Sequence, residues 1–426
     1  AGFGGTAALD VGSYGNQNDS GKNASANNRH LRFNLGGGGE RWRLGLSGDL
    51  VDDSGFGLNP DAYPRQGDAS KRQQLAARGE WLASERGGAW AEASHYTEDD
   101  TQRYNLYVPP ANVPQRKLES ITRDRLSGGA SWRFDNGVRA KVNGVHESYD
   151  SDSPGYSNDV LATNRASRQR MQHVGTQFEL PAWGRQLWMV GTDWHHETLA
   201  QTSNGMSELS LAGRAKRSST ELFLQNNIFL DDRWELLLGL RGQHDSDFGG
   251  HWAPKVSVRG NLLDSGGWKG VLRASLGHGY RVPNLKERHY LFDHSTLGYI
   301  VVGNPNLKPE SSTSLQLGGS LSLNDRLTLD VNGFYNRVRD LIQTDLANAT
   351  VVNGIAAYTY DNVTRARTSG VETSATWRAT AALQLNAAYT YTQTRDLGTG
   401  LYLTRRPEHI LRLGADWRLL PGTTLS

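Results

Sequence analysis

Segment after segment of this chain alternates apolar and polar residues with a period of two, and the connections between segments are alternately short and long. Leu383, Leu385, Ala387, Tyr389 and Tyr391 are apolar or aromatic, whereas Gln384, Asn386, Thr390 and Thr392 between them are polar. Leu327, Leu329 and Val331 alternate in the same way with Thr328, Asp330 and Asn332, and Trp234, Leu236, Leu238 and Leu240 form another such face. Successive side chains of a strand point to opposite sides, so the pattern means strands with one greasy and one wet face. Tight turns are expected at 36–40, 85–88, 135–137, 181–184, 231–233, 263–267, 324–325, 379–381 and 421–422. Between them lie long polar connections such as 16–28, 52–70, 99–117, 150–164 and 198–216. The reading is a chain of hairpins with about eighteen strands, short-turned at one end and long-looped at the other. That asymmetry belongs to all-β, transmembrane antiparallel barrels of the outer membrane, with short turns toward the periplasm.

Tryptophan placement tests this independently. Trp42, Trp81, Trp90, Trp132, Trp183, Trp188, Trp234, Trp268, Trp377 and Trp417 all fall close to an expected short turn, and only Trp194 and Trp252 do not. Indole favours the membrane–water boundary, where the ring is half buried and its N–H stays wet, so these residues are expected to form one rim of an aromatic girdle. Composition agrees. Only 37% of residues are hydrophobic, yet there are 12 Trp, 16 Tyr and 10 Phe, which a disordered chain would not carry. No apolar run approaches the roughly 18–20 residues of a membrane-spanning helix. The absence of Cys removes disulfide and thiolate-metal chemistry and fits an oxidising envelope compartment. Lys plus Arg (46) nearly balance Asp plus Glu (44), so no bulk charge points to nucleic acid.

The ends shape the expected extent. Ala1 opens the chain without an export signal, 4–15 reads as a strand already in progress, and 423–426 reads as the opening of another strand. Residues 1–426 are therefore expected to be a partial barrel, without the C-terminal aromatic-ended strand that complete barrels commonly carry.

The most distinctive stretch is 277–312, GHGYRVPNLKERHYLFDHSTLGYIVVGNPNLKPESS. Pro305 and Pro309 remove two N–H donors and hold their predecessors extended, so the return to the strand at Ser311 should be stiff. Tyr280-Arg281-Val282-Pro283, then a loop, then Asn304-Pro305-Asn306-Leu307-Lys308-Pro309-Glu310 resemble paired motifs of the TonB-dependent receptor family. Asn362, Ala366, Gly370 and Glu372 resemble its later Asn-x-x-x-Ala-x-x-x-Gly-x-Glu strand, and Gly12-Ser13-Tyr14-Gly15 its first barrel strand. The resemblance implies a 22-stranded barrel of which about eighteen strands are present, with the plug domain absent and C-terminal strands missing. It also implies import of a scarce nutrient, with energy from the inner-membrane TonB complex in the full-length protein. Outer-membrane lipid and lipopolysaccharide are the expected surroundings. No catalytic function and no resident cofactor are implied.

The transported ligand is expected to be an iron chelate. Heme receptors of the family carry a histidine between the two motifs, and His289 and His294 lie there; Tyr290 or Tyr299 could add a phenolate. A siderophore needs only cationic and aromatic groups, which Arg281, Lys286, Arg288, Tyr290 and Tyr299 supply. Cobalamin or another metal chelate stays open as an alternative, and so do a passive porin-like channel and an adhesive surface protein. Adjacent His195 and His196 should face opposite sides and so cannot share a metal. Asp52-Asp53 and Glu98-Asp99-Asp100 are expected in outer loops as solvated charge, calcium ligands or lipopolysaccharide contacts through divalent ions. No spacing for a catalytic triad, phosphate loop or paired catalytic carboxylates is present.

Overall fold

A computed structural model describes residues 2–18, 26–59, 61–209, 213–294, 298–324, 326–352, 354–403, 406–420 and 422–425. Asp325, Pro421 and Ser426, and parts of the 16–28 and 198–216 connections, lie outside the described residues. Among these, 22 strands form one sheet. Four strands are short: Met206–Ser207, Leu291–His294, Tyr299–Val302 and Thr423–Leu425. The other eighteen run from Gly2–Gly12 to His409–Leu420, each antiparallel to its neighbours along the chain. No ladder joins the first of them to the last among the described residues.

The register keeps one face apolar across the whole sheet. Leu31, Leu50, Phe33, Gly48, Leu35 and Leu46 lie in successive rows, and Trp42 stands opposite Trp81. Farther on, Leu224, Leu240 and Pro254 share a row, and so do Leu276, Leu315 and Tyr335. Leu35, Leu46, Trp42, Trp81, Leu224, Leu240, Leu276, Leu315 and Tyr335 among them are exposed in the protein alone, and a lipid phase covers such a band at little cost. The opposite face is ionic, with Arg78 between Glu80 (2.9 Å) and Glu92 (3.2 Å), and Arg241 on Glu221 (2.8 Å). Alternation thus gives a lipid face and a wet lumen. Trp81, Trp183, Trp377 and Trp417 are exposed at the short-turn end, and Trp194 and Trp252 at the other, so both boundaries carry indoles.

The short turns that lie wholly within the described residues fall where the sequence places them. Gly266 and Gly267, with φ of 61° and 81°, close one between strands ending at Ser265 and starting at Trp268. The backbone there needs the left-handed region at both positions, which glycine enters freely. The long side differs from expectation. Residues 99–117 and 150–164 are not loops: Gly87–Val108 and Ala111–Arg133 pair up to a turn at Pro109-Pro110, and Arg139–Ser157 and Val160–Glu179 up to Asn158-Asp159. Polar residues on both faces mark these as hairpins standing in water beyond the roughly 9–11 residues that cross a bilayer. Glu98, Asp99 and Asp100 therefore lie within a strand. Glu98 accepts from Tyr96 Oη and Asp99 from Ser120 Oγ, while Asp53 accepts from Tyr14 Oη. Among the described residues no carboxylate or imidazole cluster suits a metal. His195 and His196 do face opposite sides, His195 toward Glu197 and His196 onto Ser218 and the Trp194 ring.

Candidate functional site

The signature segment leaves the strand Trp268–Arg281 at the long-loop end. Pro283 is fully buried, and its carbonyl accepts from Arg217 Nη1 (3.1 Å). Asn284 then starts the one-and-a-half-turn helix Leu285–His289: its side chain accepts from the Glu287 N–H, and the Glu287 carboxylate accepts from the Asn284 N–H, both at 2.8 Å. This reciprocal cap satisfies donors that a short helix otherwise leaves to water. Leu285 and His289, four apart, are its buried face. Leu285 packs with Leu199, Leu209 and Ala215, beside Tyr290, in a small apolar cluster.

The two motifs are fastened to each other through Arg281. Its guanidinium donates to both oxygens of Glu310 (2.9 and 2.8 Å) and both of Glu287 (3.1 and 3.0 Å). Glu310 in turn accepts from the Ile342 N–H (2.7 Å). The loop between is held at several points. Arg288 pairs with Asp247 and lies over the Phe248 ring, and Gln201 Nε2 donates to the Leu291 carbonyl. Leu291–His294 and Tyr299–Val302 form a hairpin, whose second strand runs parallel to Ala356–Thr359. Gly303 passes so close to the Arg288–His289 backbone that a Cβ would sit 2.6 Å from it, which is why no larger residue fits there. Asn304 donates to the Tyr360 carbonyl, and the Asn362 side chain both accepts from Lys308 N and donates to Lys308 O. Leu307 is buried, and Tyr280 stacks on His251 at 4.7 Å.

The six ligand candidates thus separate. Arg281 and Arg288 are committed to carboxylates. His289 is 4% exposed, and burial together with the neighbouring Arg288 holds its imidazole below the ordinary range, against a smaller opposing pull from Asp247. Tyr290 packs on Phe292 (4.4 Å), and burial pushes its phenol up. His294 and Tyr299 are half buried and face each other at 5.0 Å, with Tyr358 beyond. The residues that sequence reasoning missed are Glu287 and Arg217. The Asn284-x-x-Glu287 spacing carried a readable capping signal; Arg217 comes from a distant strand and left none, and Asn362 was readable as a motif residue but not as a partner of Lys308.

A cavity of roughly 420 Å³ lies beside the helix, lined by Arg123, Glu147, Tyr149, Leu199 and Lys286 among others. Burial pushes the Lys286 amine below its ordinary range, and it sits 5.5 Å from the Tyr290 ring centre with no carboxylate partner among the described residues. A larger cavity of about 670 Å³ lies at the short-turn end, where Arg43 pairs with Glu80 and Arg139 and Lys141 with Glu179. The first sets a cation without a carboxylate partner among the described residues beside aromatic rings, at the outer end of the sheet.

A continuous antiparallel sheet with a lipid face, an ionic lumen and an interlocked outer loop defines an outer-membrane β-barrel. Within that class, a family model described as TonB dependent receptor-like, beta-barrel matches residues 2–425, and the chain belongs to this family. The iron-regulated outer membrane virulence protein of Vibrio cholerae El Tor is 27% identical over 346 residues, covering 75% of this chain and 52% of that protein. The ferrienterobactin receptor of Escherichia coli K12 is 25% identical over 255 residues, covering 54% and 34% respectively. The chain spans about half the length of the first of these relatives. Among solved structures, the siderophore receptor PirA of Pseudomonas aeruginosa superposes with a TM-score of 0.73 at 18% identity, over 98% of this chain and 69% of that one.

Proposed function

We propose that the chain supplies the barrel of a receptor that takes a ferric siderophore across the outer membrane, energised by the TonB complex. The observation that carries this reading is Lys286, a partly desolvated ammonium without a carboxylate partner among the described residues, over an outer cavity lined by Tyr149 and Arg123. An anionic chelate supplies the counter-charge, and tyrosine rings match its aromatic or apolar parts. The relatives named for ferric enterobactin support the same ligand class. Heme is less well served, because His289 is buried against the barrel wall; His294 beside Tyr299 is the remaining axial candidate. No step of this function calls for catalysis.

The test is binding of ferric catecholate and of heme to the full-length receptor, followed by intrinsic fluorescence and by the Soret band. Lys286→Gln should weaken the ferric chelate by roughly tenfold, the loss of one charge-assisted contact. Unchanged chelate affinity in that variant, or a heme Soret shift abolished by His294→Ala, would overturn the reading.

A further inference from the structure

The outer face changes character at one height over the strands Glu310–Leu323, Leu327–Val352, Ile355–Arg378 and Leu383–Asp396. Rising from the short turns, its cross-strand rows are Leu323–Leu327–Trp377–Leu385, Leu321–Leu329–Ala375–Ala387, Gly319–Val331–Thr373–Tyr389 and Leu317–Gly333–Val371–Tyr391. One transitional row follows, Leu315–Tyr335–Ser369–Gln393. Directly above it the row is Thr313–Arg337–Arg367–Arg395, and above that Ser311–Arg339–Arg365. The register is unbroken through all of these rows, so alternation keeps the arginines on the face of Leu315, Tyr335 and Val371. Ten residues separate Leu327 from Arg337. At about 3.3 Å per residue and a tilt near 45°, that climb is roughly 23 Å, close to the height of the apolar band of such barrels. The arginine rows therefore stand at the outer boundary of the membrane.

Their charge is uncompensated. Several arginines elsewhere on the sheet meet carboxylates: Arg78, Arg217, Arg241 and Arg281 do in the lumen, and Arg170 meets Asp150 at 2.9 Å. Among the described residues, Arg337, Arg339, Arg365, Arg367 and Arg395 have no carboxylate partner. Arg367 donates to Gln393 Oε1 (3.1 Å), and Arg395 to the Gly400 carbonyl and Tyr402 Oη, over whose ring it lies. Arg337 Nε and Arg367 Nε are buried with no acceptor. Asp396, next to Arg395, caps its own turn through the N–H groups of Gly398 and Thr399, and Asp340, next to Arg339, makes no ion pair among the described residues. Three pairs of arginines stand directly opposite one another: Arg337 with Arg367, Arg339 with Arg365, and Arg367 with Arg395. Like charges in that position destabilise a sheet unless an anion lies between them.

We propose that these rows bind the phosphate groups of an anionic lipid headgroup in the outer leaflet. Guanidinium forks match phosphate oxygens two at a time, and the rows sit where headgroup phosphates lie, with the acyl chains alongside Tyr335, Val371 and Leu317. A soluble anion would gain nothing from the apolar rows beneath; a lipid uses both.

The test is native mass spectrometry of the full-length receptor in detergent, titrated with a doubly phosphorylated glucosamine-based lipid and with the same lipid stripped of its phosphates. The unsubstituted receptor should retain the phosphorylated form, and Arg337→Gln/Arg339→Gln/Arg365→Gln/Arg367→Gln should weaken that retention at least about tenfold. The dephosphorylated lipid should bind both proteins equally poorly. Replacing the same four by lysine should restore part of the retention, since the charge returns without the bidentate fork, which separates charge from packing. Equal retention of both lipids by the unsubstituted receptor would overturn the proposal, and that arm decides the matter even if the fourfold variant does not fold. Displacement of the lipid by inorganic phosphate at equal concentration would also overturn it, because the site would then be one for free anions.

Discussion

Arg281 carries five donors on a flat fork, and here four contacts go to two carboxylates from opposite sides of a 30-residue excursion. A residue type that in sequence reads as a ligand for an anionic chelate is, in the fold, the rivet between two halves of a motif. Arg281 is partly exposed, so the pair with Glu287 is worth on the order of 1 kcal/mol rather than the several of a buried ion pair. A double-mutant cycle of Arg281→Gln and Glu287→Gln, read as resistance of the 284–303 loop to proteolysis, should return a coupling of about that size. Zero coupling would mean that the four contacts are incidental. His289 offers a second residue-scale expectation. Its imidazole is held below the ordinary histidine range by burial, so folding of the loop favours the neutral form. The stabilisation is complete above about pH 6.5 and is lost as pH falls from there through the folded-state value. Loop cleavage, normalised to an unfolded substrate, should therefore rise on acidification below about pH 6.5 and be flat in His289→Gln. Asp247 titrates in a separate, lower window: burial raises it, but the hydrogen bond from Arg288 and a smaller one from Ser246 bring it below the usual carboxylate range. Its pairing is present above that range and lost only in stronger acid.

The strand pair Leu327–Val352 and Ile355–Arg378, 26 and 24 residues long, shows how one element serves two solvents. Its lower part crosses the membrane, and its upper part accepts Tyr299–Val302 as an added parallel strand. Asn362 is the clasp: its side chain bonds both polar groups of Lys308 and the carbonyl of Asp340, a residue with a φ of 55°. Asn362→Ala leaves these groups without their partner, a local cost of about 1–3 kcal/mol. Amide exchange should accelerate at 299–302 and 356–359 and stay unchanged at 327–335; uniform acceleration would show that the clasp holds the whole barrel instead. The same element explains what could be read beforehand. Period-two faces and short turns depend on neighbours in sequence, so they were legible. The length of the outer hairpins was not, because a strand standing in water is polar on both faces and looks like a loop until its partner is known. Asn362 was visible as part of a motif, but its contact with Lys308 joins residues 54 apart and could only be seen in the fold.

At the scale of the whole molecule, the barrel rests on a division between two faces rather than on a central core, and the cluster around Leu199 and Leu285 is a local exception. This predicts opposite outcomes for the same substitution at adjacent positions. Val331 belongs to the middle of the apolar rows, in line with Gly319 and Thr373, whereas Asn332 faces the lumen with its amide on Glu372. An arginine at Val331 must place its charge near the centre of the bilayer, at a cost of about 2–4 kcal/mol. At Asn332 the same side chain enters a wet lumen beside Glu372, where surface-like substitutions change stability by no more than about 0.5 kcal/mol. Reversible folding of the full-length receptor into lipid vesicles across a urea gradient measures both. Val331→Arg should lower the folding midpoint and Asn332→Arg should leave it in place. Equal shifts in the two variants would mean that this segment does not cross lipid, and with it would fall the height assigned to the arginine rows above.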